Sequence, residues 1–389
     1  MGPFNPDASA ESPDIGFTLG LGETIAATPK ARLDNDPMSV ITAELTALLA
    51  PGWERLDVAI AMTVTDEAAQ MVLSSGQQAA LARPSTALLA ALREHRQLSA
   101  RSADGPWWRF LAAVTEGDGV QVEYDFGAEP FPGEHLFPAH AYRADLETYP
   151  RRRLPVWLAA YIGNEGVQVR TPADAFARSL TEADAGIHAV RDSGVLPALP
   201  VLWARWAVVS AAFVAMNSPW GPRVTTALGW FEGSGHSGCS LHRLPAGRAV
   251  LSGGIWNAPE LDAFYNDQAP LPELYRGAPD WVAAPVLNPR ADSGLLSFCY
   301  WWDSDEWRRG ESPAAEALRA ALPGIWSTAD TVDVIAQLIG NADRAALETL
   351  VLAAEGGYVS RAHLLNALGR NVPDIGGGYY QLMLAGVVK

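Results

Sequence analysis

Residues 107–126 read Trp107-Trp-Arg-Phe-Leu-Ala-Ala-Val114-Thr-Glu-Gly117-Asp-Gly119-Val-Gln-Val-Glu-Tyr-Asp-Phe126. The second half alternates. Val120, Val122, Tyr124 and Phe126 share one face, and Gln121, Glu123 and Asp125 share the other, which is the period of a half-buried strand. An apolar run, Trp107–Val114, precedes it, and Gly117-Asp-Gly119 supplies a turn between the two. The pattern predicts a β-hairpin with one dry face and one wet face, the arrangement that antiparallel sheets allow.

Working outward, Leu56, Val58, Ile60, Met62 and Val64 alternate with shorter or polar residues, Asp66-Glu67 turns the chain, and Gln70–Ser74 returns. Ser39–Leu49 has helical spacing and stops at Pro51-Gly52, and Pro84–Glu94 places Leu88, Leu89 and Leu92 on one helical face. His140–Tyr149 and Leu154–Ile162 read as two short helices. Strands that arrive in hairpin pairs cannot build a doubly wound parallel sheet, so the order predicts an α+β fold.

From Pro172 the pattern restarts. Ala173–Val190 and Leu199–Met216 read as helices, Val224–Phe231 and Arg248–Ser252 as strands around a Gly/Ser loop, and Ala258–Asp267 as a short helix. Trp281–Leu287 and Leu295–Trp302 form a further strand pair, followed by helices at Pro313–Leu322 and Val332–Ile339. In both stretches an aromatic strand runs into an acidic, aromatic loop and then two helices. The expectation is two tandem, mainly antiparallel units over 38–170 and 171–340, the second a diverged duplicate of the first. A flexible, acidic and Pro-rich leader over 1–37 precedes them. A small helical tail over 341–389 follows, with Ser360 as an N-cap and a glycine-rich break at Gly376–Gly378.

The 389 residues carry 28 Lys+Arg against 44 Asp+Glu, a formal net charge of −16. Nucleic acid and anionic membrane surfaces are poor partners for such a chain, and a basic protein or peptide is the easier one. The same charge also serves plain solubility. The two cysteines, Cys239 and Cys299, are too few for a disulfide framework or a multi-cysteine metal site. The N-terminal residues show no secretory signal, which points to the cytoplasm. Val195–Met216 is long enough to span a bilayer, but Pro197, Pro200 and Arg205 interrupt it and favour a buried helix.

Catalytic patterns are weak. Gly235-His-Ser237-Gly-Cys239 resembles a nucleophile elbow, yet Cys239 replaces the final glycine and Pro245 and Gly247 oppose the helix that should follow. His236, Cys239 and His242 are metal-ligand types, but a strand would split them between faces. Cys299, inside an apolar strand, reads as a small hydrophobe. No catalytic residue, metal or cofactor is therefore assigned. A hydrolase or metal-dependent enzyme built on the Gly233–His242 loop stays as the alternative, beside a scaffold or interaction protein. The exit loops stand out instead. Residues 104–134 hold seven acids against one base among several aromatics, and residues 292–311 hold five acids against two bases. Aromatics supply contact area and acids select a cationic partner. The candidate contact residues are Trp107, Glu123, Asp125 and Glu129 in the first unit, and Asp303, Asp305 and Trp307 in the second.

Several segments fall in a familiar order over residues 38–163. They are Pro51-Gly-Trp53 before a period-two strand, Trp107-Trp-Arg-Phe110, Val122-Glu-Tyr-Asp-Phe126 with Glu129-Pro130, Tyr142-Arg-Ala-Asp145-Leu-Glu-Thr-Tyr-Pro150-Arg151, and Leu154-Pro-Val-Trp157-Leu. This third of the chain resembles the YezG-like immunity family, antitoxins of polymorphic toxin systems that include the immunity factor of the tuberculosis necrotizing toxin. Phe126-Gly127 departs from the family's usual Asp-x-x-Pro run. The resemblance implies a non-enzymatic protein that binds and neutralises a secreted protein toxin, of NAD-consuming type by the same likeness. It implies no catalytic residue.

Overall fold

A computed structural model describes residues 36–101, 104–192, 194–340 and 343–389. The expected leader lies outside the described residues up to position 35. The chain divides into two compact units between Arg152 and Arg153, and its architecture is α+β, with helices beside two antiparallel sheets.

In the first unit, α1 (Pro37–Leu48) starts at Asp36, whose carboxylate accepts a hydrogen bond from the Met38 N–H. Three strands follow as a meander: β1 (Arg55–Met62), β2 (Glu67–Ser75) and β3 (Gln78–Leu81). Helix α2 (Thr86–Ser99) is capped by the Ser85 hydroxyl and leads to β4 (Arg109–Thr115), β5 (Gly119–Asp125) and α3 (Ala139–Thr148). The sheet order is β3-β2-β1-β4-β5. Ile41 and Leu45 of α1 and Leu88 and Leu92 of α2 bury one face of this sheet against Leu56, Val58, Ile60 and Phe110. Each such side chain contributes roughly 1.5–3 kcal/mol by leaving water. On the other face Asp57, Leu111 and Glu123 stay accessible, whereas Ala59, Ala61 and Arg109 are buried. Strand β3 escapes the sequence reading because its four residues, Gln78-Ala-Ala-Leu81, are mostly exposed and carry no alternation.

The second unit starts earlier than residue 171. Helix α4 (Val156–Gly163) belongs to it, since Val156 packs with Ala258 and Leu261. The Gln168 amide exchanges two hydrogen bonds with the backbone of Leu296, and Arg153 bridges Asp262 and Asp267. Then come α5 (Pro172–Asp184), β6 (Val190–Arg191), α6 (Leu199–Ala215), β7 (Arg223–Val224), β8 (Leu228–Glu232), β9 (Gly238–Arg243) and β10 (Ala249–Gly254). They are followed by α7 (Pro259–Asp267), β11 (Phe298–Asp303), β12 (Glu306–Arg309), α8 (Thr328–Ile339), α9 (Arg344–Glu355), α10 (Arg361–Leu368) and α11 (Ile375–Ala385). The sheet order is β6-β12-β11-β10-β9-β8-β7.

This order corrects the expectation of a duplicate. In the first unit the strand after the crossover helix pairs with the first strand of the meander, whereas β11 pairs with β10, the last one. The segment 281–287 is no strand either. Pro279, Pro285 and Pro289 break it into short 3₁₀ turns. Those turns cover one face of the sheet, with Val282 and Leu287 against Val250, Cys299 and Trp301. Leu251, Phe298 and Tyr300 face α6 on the other side. A sheet buried on both faces needs continuous apolar strands, which explains the run Phe298–Trp302.

The expected helical tail is part of this core. Leu347, Leu350 and Leu382 sit in one apolar cluster with Leu202, Trp206 and Val209 of α6. Ser360 caps α10. Gly376–Gly378 is no break. It forms the first turn of α11, with Asp374 accepting from the Gly377 N–H. A Cβ on Gly378 would lie 2.7 Å from the Ala211 carbonyl oxygen, so glycine there permits the close approach of α11 to α6. No described helix is long and apolar enough to cross a membrane.

Candidate functional site

The open face of the first unit's sheet carries the candidate site. Along β5, Val120 and Val122 turn toward the helices, and Gln121 and Glu123 are exposed on the opposite side. Asp57 of β1, Leu111 and Arg109 of β4, and Glu123 and Asp125 of β5 floor a concave volume of about 610 Å3. Phe126, Glu129 and Pro130 wall it. Four carboxylates and one guanidinium line this groove; Asp125 is paired with Arg109 and Asp57 with the adjacent Arg55, so the net charge stays negative.

The guanidinium is not loose. Arg109 Nη1 donates to Asp125 Oδ2 at 2.8 Å, its Nε donates to His135 Nδ1 at 3.3 Å, and its charge sits 5.9 Å from the centre of the Phe131 ring. His135 is buried, and that burial, reinforced by the Arg109 charge, holds its pKa below the ordinary histidine value. Asp125 also shapes the loop that follows, because its Oδ1 accepts from the Gly127 N–H at 2.7 Å. Gly127 has φ +82, and a Cβ there would meet the Phe131 ring at 3.2 Å. Asp125 and Gly127 thus turn the chain so that Glu129 and Pro130 stand beside the groove.

Of the predicted contact residues, Glu123, Asp125 and Glu129 come together here. Trp107 does not. It is fully buried, its indole donates to His95 Nδ1 at 3.2 Å, and its ring packs on Phe110, so it is core rather than contact surface. Trp307 is a second correction. It is buried against Trp302 and donates to the Pro197 carbonyl at 2.8 Å. Both indoles lie where a strand meets its covering layer, and their apolar area outweighs any gain from exposure. In the second unit Asp303 ends β11 and Asp305 sits in the β11–β12 turn, where Ser304 and Asp305 have φ +53 and +62. Asp303 lines a separate concavity of about 250 Å3 with Arg308, Glu182 and His188.

Some of the residues quoted for the resemblance are buried. Asp145 and Arg96 form a buried ion pair at 2.8 Å, and Arg96 Nε donates to the Trp107 carbonyl. Arg151 stacks over Trp108 at 4.0 Å and donates to the carbonyls of Asp104 and Pro106. Burial brings its pKa down to about 10, against the pull of the Asp145 charge. The Tyr142 hydroxyl accepts from the Phe137 N–H. These groups frame the unit. The signal that could have separated them from surface residues is the need of a buried charge for a partner.

The Gly233–His242 segment is a hairpin. Residues 233–237 turn, with His236 at φ +60, and β9 begins at Gly238. The Ser237 hydroxyl accepts from the Trp256 N–H at 2.9 Å. Cys239 faces the α6 core, and burial raises its thiol pKa. His242 points to the opposite face, half-buried, with its pKa lowered by the same cause. The three groups do not converge. No protein-family model matches this chain, and no curated protein does.

Proposed function

We propose that this protein is a non-enzymatic immunity-type protein that binds a cationic protein toxin and neutralises it by steric and electrostatic occlusion. The contact surface is the open sheet face of the first unit. One observation carries the reading: Glu123 and Asp125 of β5, Asp57 of β1 and Glu129 of the loop after β5 line one groove. The order of the motifs quoted for the YezG-like family supports it, and by that likeness the toxin consumes NAD. Acids at the groove would steer a basic surface into place.

The test is co-purification with the toxin encoded beside this gene, followed by association kinetics at two salt concentrations. Asp125 is a poor site for charge reversal, because a cation there would face Arg109. Glu123→Lys with Glu129→Lys uses exposed positions instead. The pair should slow association by at least about tenfold at low salt and flatten the salt dependence. An unchanged rate in both salts, with the melting temperature intact, would remove this face as the contact surface.

A further inference from the structure

Strand β5 ends the first unit's sheet, and seven consecutive residues, Gly119–Asp125, stay in register with β4. Neither a proline nor a bulge blunts that edge, and the charges on it, Glu123 and Asp125, are acidic. Among the described residues no backbone hydrogen bond joins its outer side to another strand. The other sheet is built differently, since its edges β6 and β7 are two residues each. The first unit's opposite edge, β3, has four residues and no charge. The long open edge and the acidic groove therefore belong to the same strand.

We propose that the outer edge of β5 accepts an added β-strand from the partner, an extended segment of about seven residues in which basic and apolar residues alternate. This deepens the reading above and takes the cationic partner from it. Alternation follows from the pleat. Side chains of the added strand on one face would extend the row of Gln121 and Glu123, where a cation is complementary. Those on the other face would extend the half-buried row of Val120 and Val122, where an apolar group loses water. A second copy of this chain is the poorer occupant. It would set Glu123 against like charge in a molecule of net charge −16.

The probe is a capped octapeptide of alternating lysine and valine, added to the full chain. Controls are a block-ordered peptide of the same composition and two versions N-methylated at alternate amides, one in each frame. Hydrogen exchange of the β5 amides should slow by at least about tenfold with the alternating peptide. One N-methylated frame should retain that protection and the other lose it. Glu123→Lys should weaken binding by about tenfold. Equal binding by both methylated frames or by the block peptide, or protection confined to other elements, would overturn strand addition, as would edge-to-edge dimerisation detected by sedimentation. A toxin that co-purifies yet leaves β5 exchange unchanged would sink this inference and spare the immunity reading. Peptide protection with no toxin binding would do the reverse.

Discussion

Asp145 offers the sharpest test of how the first unit is held together. Its side chain is fully buried, its Oδ2 accepts from Arg96 Nη2 at 2.8 Å, and Arg96 is itself only 5% exposed. Asp145→Ala would leave the Arg96 guanidinium buried without its counter-charge, close to the second cation Arg151. Three rings, Trp107, Trp108 and Tyr149, lie within 5.9 Å of that guanidinium, but ring faces compensate a desolvated charge only in part. Removing one partner of such a pair costs about 3–5 kcal/mol. At about 4 °C per kcal/mol for a unit of this size, the melting temperature of the first unit should fall by about 12–20 °C. Arg96→Met with Asp145→Leu removes both charges and should recover most of that loss, to within about 2 kcal/mol of the parent. Thermal unfolding of the full chain, with hydrogen exchange of the β1 and β4 amides to identify the unit, reads both variants. A cost below about 1 kcal/mol for Asp145→Ala, or a double variant as unstable as the sum of its parts, would refute the ion pair as a structural element.

Trp107→Ala and Trp307→Ala should each cost about 3–5 kcal/mol in urea unfolding, because each empties a core site. Partner binding per folded molecule should stay unchanged, and selective loss of binding at full stability would return either residue to the contact surface. Both thiols are buried and their pKa values raised, so native protein should resist a thiol-exchange reagent and release two equivalents only after denaturation. Acidification should destabilise the fold through His135. Its folded pKa is depressed, so the unfolded chain takes up the proton first. The stabilisation is complete above the ordinary value near 6.5 and is lost as pH falls through the folded value, at no more than about 1.4 kcal/mol per pH unit. His135→Gln keeps an acceptor for Arg109 Nε and removes the titration, so its stability should fall less steeply below pH 6.5. Equal slopes would show that the proton is taken up elsewhere, with His95 and His242, also depressed, as the next groups to replace.

How much of this was legible before folding differs by element. Strand β5 announces itself by a drier and a wetter face, and β1 by large apolar residues alternating with Asp57, Ala59 and Ala61; each prints a period of two on the sequence. Strand β9 does not. Gly238-Cys-Ser-Leu-His-Arg243 looks like the end of a Gly/Ser loop, and only its pairing with β8 and β10 makes it a central strand. The two-residue strands β6 and β7 carry no pattern at all, and the triple glycine of α11 reads as a break until α6 supplies the surface that requires it.

The site divides the same way. Parity along β5 suffices to place Glu123 on the wet face, since alternation is local and needs no partner. The negative charge of the exit loop is likewise a property of the sequence. Trp107 and Glu123 lie sixteen positions apart in one acidic, aromatic stretch, and nothing local says that the indole is buried and the carboxylate exposed. Whether Asp125 stands in solvent or against Arg109 depends on the β4–β5 register, which sets those two residues opposite each other. Whether Glu129 joins them depends on the turn at Gly127, which Asp125 holds. Local patterning determined the elements and the sign of the surface. Pairing and burial, which depend on residues distant in the chain, decided which acids share a groove and which aromatics leave the surface.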